Sequence, residues 1–142
     1  MLKNRSVPPC TVIPVLYYPD PSEAADWLCK AFGFRVRLPI GRNHRVQMKA
    51  GDGCLVVAEG TVPKTEAKAA GGHLVMVRVE DAFAHCERAR AAGALILTEP
   101  VEHMYGERQY NAQDPFGHRW DFTETVKDVP PGDWGGEPVE LE

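Results

Sequence analysis

The chain has 142 residues, 44% apolar and 25% charged, enough for one domain with a real core. No run approaches the roughly 20 apolar residues of a membrane span, and the opening MLKNRSVPPC has no signal-peptide apolar stretch, so the expectation is a cytoplasmic protein without a membrane partner. Sixteen Lys and Arg against 20 Asp and Glu leave a net charge of −4, which excludes a nucleic-acid binder that tracks phosphates.

Thr11 to Tyr18 is rich in β-branched and aromatic residues and stops at Pro19-Asp20-Pro21, the pattern of a strand closed by a turn. A helix follows, with Asp20 as its cap, Pro21 at its first position and Glu23 placed as a capping-box partner. Ala24, Trp27, Leu28, Ala31 and Phe32 recur at the spacing of one buried helical face, and Gly33 suits the left-handed stop. Short strands are predicted at 34–38, 44–49 and 54–58, with turns at Gly41-Arg42-Asn43 and Gly51-Asp52-Gly53. Residues 61–71 lack apolar periodicity and read as an exposed linker.

The order then restarts, with a strand at 73–79, a helix at 81–92 ending at Gly93, and a strand at 94–98. A shift of 60 residues lays Gly33 on Gly93, Val15 on Val75 and Asp20 on Glu80. The second half closes with strands at 107–113 and 118–123 around Asp114-Pro115-Phe116-Gly117, where Pro second and Gly fourth fit a type I turn. Residues 126–142 are Pro- and Gly-rich and read as an irregular tail that Trp134 pins to the body. Cys10, Cys29, Cys54 and Cys86 form no CxxC pair and are expected to be reduced thiols acting as small core residues.

The fold class expected is therefore α+β: a single domain over 1–125 of two βαβββ modules, about 11–60 and 72–125, pairing into a curved mixed sheet around a concave pocket. Exposed sheet edges and short modules favour a homodimer.

The doubled βαβββ order, GGHLVMVRVED at 71–81 and DPFGHRWDF at 114–122 together resemble the vicinal oxygen chelate superfamily over residues 11–125. That group includes glyoxalase, extradiol dioxygenases, fosfomycin-resistance proteins and bleomycin-binding proteins. The resemblance implies a pocket in which metal-using members hold one divalent ion with four side chains, polarising a carbonyl and stabilising an enediolate. It places His73 and Asp121 on two of the ligand positions, and puts the first-strand position on Ile13 and the fourth-strand position on Val56 or Val57. Two ligands are too few for a preorganised catalytic metal.

A four-residue hairpin loop at 114–117 would set Ala112 opposite Arg119, Tyr110 opposite Asp121 and Arg108 opposite Thr123. That register puts Arg108, Tyr110, Arg119 and Asp121 in the pocket with His73, and turns His118, Trp120 and Phe122 toward the helices. Asp121 is expected to pair with Arg119 or Arg108, while either arginine offers a bidentate site for an anionic group. His44, His85 and His103 are assigned to the surface, His118 to the turn and Trp27 to the core.

The function expected is metal-independent binding or sequestration of a small organic ligand, similar to bleomycin-resistance proteins, with no cofactor. The alternative is a lyase, isomerase or dioxygenase using Ni, Zn, Mn or Fe held by His73, Asp121 and Glu59. A third reading is a metal-free enzyme in which His73 or Tyr110 is the acid or base and Arg119 holds an oxyanion. Neither a substrate nor a catalytic residue follows from the sequence alone.

Overall fold

The computed structural model describes residues 2–61 and 72–137. The expected linker falls, apart from Thr61, outside them, as does the end of the tail.

In the first module β1 (Val15–Tyr18) leads into α1 (Pro21–Phe32), then β2 (Arg35–Ile40), β3 (Arg45–Ala50) and β4 (Gly53–Glu59). The second repeats the order with β5 (Val75–Arg78), α2 (Ala82–Ala91), β6 (Leu95–Glu102), β7 (Glu107–Gln113) and β8 (Arg119–Thr125). Each forms a four-stranded mixed sheet, ordered β1-β4-β3-β2 and β5-β8-β7-β6, in which the first strand pairs in parallel and the others antiparallel. The architecture is α+β.

Several boundaries move for identifiable reasons. β1 starts at Val15 rather than Thr11, because Pro14 has no N–H to give the ladder; its carbonyl instead accepts from the Val56 N–H at 2.9 Å. β6 runs past Thr98 to Glu102, since irregularities in its pairing with β7 absorb Pro100.

α1 opens as its sequence dictates, with the Glu23 N–H donating to Asp20 Oδ1 at 3.1 Å, and closes on Gly33 at φ 77°. The companion of the cap is Asn43, which donates to Asp20 Oδ1 at 2.9 Å and accepts from the Ser22 N–H at 2.7 Å. Asp81 caps α2 in the same way, accepting from the Ala84 N–H at 3.0 Å. The two caps are 61 residues apart, so the structural repeat runs one residue longer than the shift read from Gly33 and Gly93.

A single core joins both modules. Leu16, Tyr18, Val46, Met48, Leu55 and Val57 face α1, while Tyr110, Ala112, Trp120 and Phe122 meet Phe32 and α2. Phe32 is the hub, with ring centroids 5.4 Å from Trp120 and 4.7 Å from Phe122, pairs worth about 0.5–1.5 kcal/mol each beyond burial. The C-terminus of α1 is finished by α2: Arg88 donates to the carbonyls of Lys30 (2.8 Å) and Cys29 (3.1 Å), and His85 Nε2 lies 3.0 Å from that of Phe32. His85 is thus partly buried between the modules rather than on the surface, and burial holds its pKa below the ordinary value.

The cysteines divide into two kinds. Cys29 and Cys86 are free, whereas Cys10 and Cys54 form a disulfide across 44 residues, correcting the expectation that all four are reduced. No helix among the described residues is long and apolar enough to cross a membrane.

Candidate functional site

Each sheet turns one face to the helices and one away. On the first sheet the outward face carries Arg45, Gln47 and Lys49 of β3 beside Ala58, Val56 and Cys54 of β4. Gln47, Val56 and Ala58 are only 4%, 7% and 2% exposed, although no helix lies over them. The N-terminal segment crosses this face: Gln47 Nε2 donates to the Ser6 carbonyl at 2.8 Å, Arg37 to that of Arg5 at 3.2 Å, Pro8 is buried, and Cys10 is bonded to Cys54. The corresponding face of the second sheet is more open, and it is the candidate site.

The β7–β8 hairpin determines which side chains reach it. The turn is type I as expected, with the Gly117 N–H donating to the Asp114 carbonyl at 3.1 Å. Gly117 then adopts φ 103°, and the Asp114 N–H donates to the His118 carbonyl at 2.9 Å, so the loop is three residues, 115–117. This sets Gln113 opposite Arg119, Ala112 opposite Trp120, Asn111 opposite Asp121 and Tyr110 opposite Phe122. The register differs by one residue from the expected one, and a one-residue change exchanges faces along a strand. Arg119 and Asp121 lie on the open face. Tyr110 and Arg108 lie on the helix side: Tyr110 is fully buried with its hydroxyl 2.5 Å from His85 Nδ1, and Arg108 pairs with Glu102 and Glu124, each at 3.3 Å.

The open face is a polar floor with apolar margins. Arg119 donates to Asn111 Oδ1 at 2.8 Å. Tyr105, at the β6–β7 turn, donates to Gln109 Oε1 at 2.7 Å, Gln109 donates to Thr123 Oγ1 at 3.1 Å, and Thr123 donates to Glu107 at 2.6 Å. Although burial raises its pKa, bonds from Thr123 and Thr125 and the Arg78 charge bring Glu107 below its ordinary value. His103 stacks on Tyr105 with ring centroids 5.1 Å apart, and Trp134 of the tail meets Tyr105 at 5.2 Å. Exposed Met76, Leu95 and Val101 border the floor. A cleft of about 610 Å³ runs along the seam toward the first module, lined by Val12, Pro14, the Cys10–Cys54 bridge and β5, Met76 among them.

Asp121 sits within this floor, opposite Met76 on β5 and Asn111 on β7. Its carboxylate accepts no side-chain or capping hydrogen bond and joins no ion pair among the described residues, so the expected pairing with Arg119 or Arg108 is not made. Burial raises its pKa, with His103 acting in the opposite sense. An unpaired, partly desolvated carboxylate facing an open surface can accept hydrogen bonds from an amine, amide or hydroxyl of a ligand.

The other expected site residues do not join it. His73 is exposed ahead of β5, and Glu59, two residues beyond core-facing Val57, shares its side of the strand rather than the outward face of Val56. The ligand atoms of His73, Asp121 and Glu59 do not converge; the one such convergence among the described residues is Cys86, Glu87 and Glu99. There the Arg90 guanidinium already supplies the positive charge, 3.3 Å from Glu87 and 3.7 Å from Cys86 Sγ. By the 61-residue repeat, Leu16 corresponds to Val77, and their partners Val57 and Phe122 make Val56 the counterpart of Asp121. Val12 becomes the counterpart of His73. With apolar residues at two of its four positions, the ligand set does not fit a tightly held divalent ion.

Gln109, Asn111, Tyr105 and His103 are residues of the candidate face that the sequence reading missed. The first two follow from the register, for which Gly117 after a type I turn is the available signal. The latter pair comes from a turn folded back over the sheet, which no local pattern announces.

The family model described as Glyoxalase/Bleomycin resistance protein/Dioxygenase superfamily matches residues 11–122. An uncharacterized protein of Mycobacterium tuberculosis is 30% identical across 82% of this chain and 75% of its own length. Among solved structures, TioX from Micromonospora sp. ML1 is similar at 35% identity and TM-score 0.66, covering 85% of this chain and 100% of its own. A family enzyme from Burkholderia phytofirmans PsJN shares the fold at 16% identity and TM-score 0.66, covering 80% and 97% of the two chains.

Proposed function

The chain belongs to the glyoxalase/bleomycin resistance protein/dioxygenase superfamily, and from that premise we propose that it binds a small organic molecule without a metal, on the open face of its second sheet. The observation that carries the reading is Val56 standing where the repeat calls for a counterpart of Asp121. With that position apolar, Asp121 acts as a hydrogen-bond acceptor for the ligand rather than as a metal ligand. Tyr105, Gln109, Asn111 and Arg119 form the rest of the floor, and His103 and Trp134 supply ring faces beside it.

The test is elemental analysis of purified protein before and after incubation with nickel, zinc, manganese and ferrous ions and desalting, with thermal unfolding in parallel. The expected result is no retained ion and no change in melting temperature. About one ion per chain with a raised melting temperature would favour the metal-dependent lyase, isomerase or dioxygenase instead.

A homodimer and a cytoplasmic location belong to the same reading. β1 and β5 are edge strands carrying exposed Val15, Tyr17 and Met76, a surface suited to a second copy. Sedimentation is expected to find a dimer at micromolar concentration, and a monomer there would remove this part of the proposal.

A further inference from the structure

The outward face of the first sheet is buried by the chain's own N-terminus, and the way it is held identifies what the face recognises. Two successive backbone carbonyls, of Arg5 and Ser6, are read by Arg37 and by Gln47 Nε2. Arg37 also donates to Gln47 Oε1, which fixes the orientation of the Gln47 amide and points its N–H outward. Gln47 is 4% exposed beneath the strap, so uncovering it opens to water and to competing carbonyls an oriented amide donor on a face otherwise formed by Val56, Ala58 and Cys54. The disulfide ties down the far end of this strap, and the bridge lines the open seam cleft, where a reductant reaches it.

We propose that residues 5–10 are a disulfide-fastened plug in a second binding face, one that takes an extended chain presenting adjacent amide carbonyls and opens on reduction. A dithiol reductant supplies two electrons and two protons; the Cys10–Cys54 bond breaks, both sulfurs become thiols, and the dithiol becomes its own disulfide. The strap then keeps the Arg37 and Gln47 hydrogen bonds and the burial of Pro8, without a covalent fastening, and exchanges with a competing amide chain. Disulfides in reducing compartments are typically transient and redox-sensing, in keeping with this role. The proposal is independent of the second-sheet site, which uses none of these residues.

The experiment is NMR on the full-length ¹⁵N-labelled chain, oxidised and in dithiothreitol, following residues 3–9 and the Gln47 side-chain amide. On reduction, order parameters over residues 3–9 are expected to fall below about 0.6 and the Gln47 resonances to move, with strand resonances unchanged. In full-length Cys10→Ser, a synthetic peptide of residues 3–9 added in trans is expected to return the Gln47 resonances toward the oxidised positions only above about 1 mM, since it must exceed the effective concentration of the tethered copy that has let go. Gln47→Ala in the oxidised chain provides a second route, loosening residues 5–7 with the bridge intact. A strap as ordered when reduced as when oxidised, or a peptide that leaves Gln47 unmoved in Cys10→Ser, would overturn the proposal.

Discussion

Tyr18 and Asp114, 96 residues apart, are joined by a 2.8 Å hydrogen bond from the phenol hydroxyl to Oδ2. The same carboxylate accepts from Trp120 Nε1 at 3.1 Å and from the N–H groups of Phe116 and His118 at 3.0 Å, so one buried side chain shapes the hairpin and ties it to the first module. Burial, then the neighbouring Asp114 charge, pushes the Tyr18 pKa up, keeping the hydroxyl protonated as the donor. Asp114→Ala strands two buried side-chain donors and is expected to cost about 3–5 kcal/mol. Tyr18→Phe leaves three of the four bonds and is expected to cost about 1–3 kcal/mol. Urea unfolding of both variants and the double mutant measures the coupling, and a small loss in Asp114→Ala would contradict the arrangement.

His85 makes stability depend on pH. Nε2–H donates to the Phe32 carbonyl and Nδ1 accepts from Tyr110, the neutral tautomer that fits both partners. Its folded pKa lies below the ordinary 6.5, so the unfolded chain takes up the proton first. The contribution is fully present above pH 6.5 and is lost as pH falls from there through the folded pKa. Melting temperature measured from pH 8 to 5 is expected to drop more steeply for the parent chain than for His85→Gln, and parallel curves would contradict the assignment.

Asp121 works in the opposite sense. Its folded pKa is raised above the ordinary 3.8, so ionisation at neutral pH costs stability, and the cost disappears once both folded and unfolded chains are protonated below 3.8. Asp121→Asn is expected to raise the melting temperature at pH 7 by no more than a few degrees, since solvent screens the part-exposed group. The same variant is expected to weaken any ligand found by a thermal-shift screen at least tenfold. Unchanged affinity would remove Asp121 from the binding site.

Gly106 controls the tail. It adopts φ 88°, and a Cβ there would lie 2.2 Å from the Lys127 carbonyl oxygen, whose chain returns to donate from Val126 to the Gly106 carbonyl at 2.8 Å. Gly106→Ala forces these strands apart and is expected to detach Trp134 from Tyr105. Fluorescence of Trp134 in a Trp27→Phe background, where the remaining Trp120 is buried, is expected to shift red in the alanine variant. An unchanged spectrum would show that the tail docks by other contacts.

The parts legible in the sequence were those written locally. Asp20, Pro21 and Gly33 mark α1 because capping and positive φ act within a few residues, and Asp114 to Gly117 mark the turn for the same reason. The faces of the last hairpin were less accessible, since one residue of loop length decides whether Tyr110 or Asn111 joins Asp121. The Cys10–Cys54 bridge and the strap beneath it depend on contacts between distant segments, and spacing alone cannot choose among pairings.

The unequal covering of the two sheets bears on stoichiometry. A chain built by repeating one module offers two equivalent concavities in principle, yet in the oxidised chain residues 5–10 occupy one of them. On the proposed reading, saturation is expected at one ligand per chain, set by the free second sheet, and the repeat of the architecture does not extend to occupancy. With Val56 where its sibling carries Asp121, the first module has the part of a scaffold in that reading.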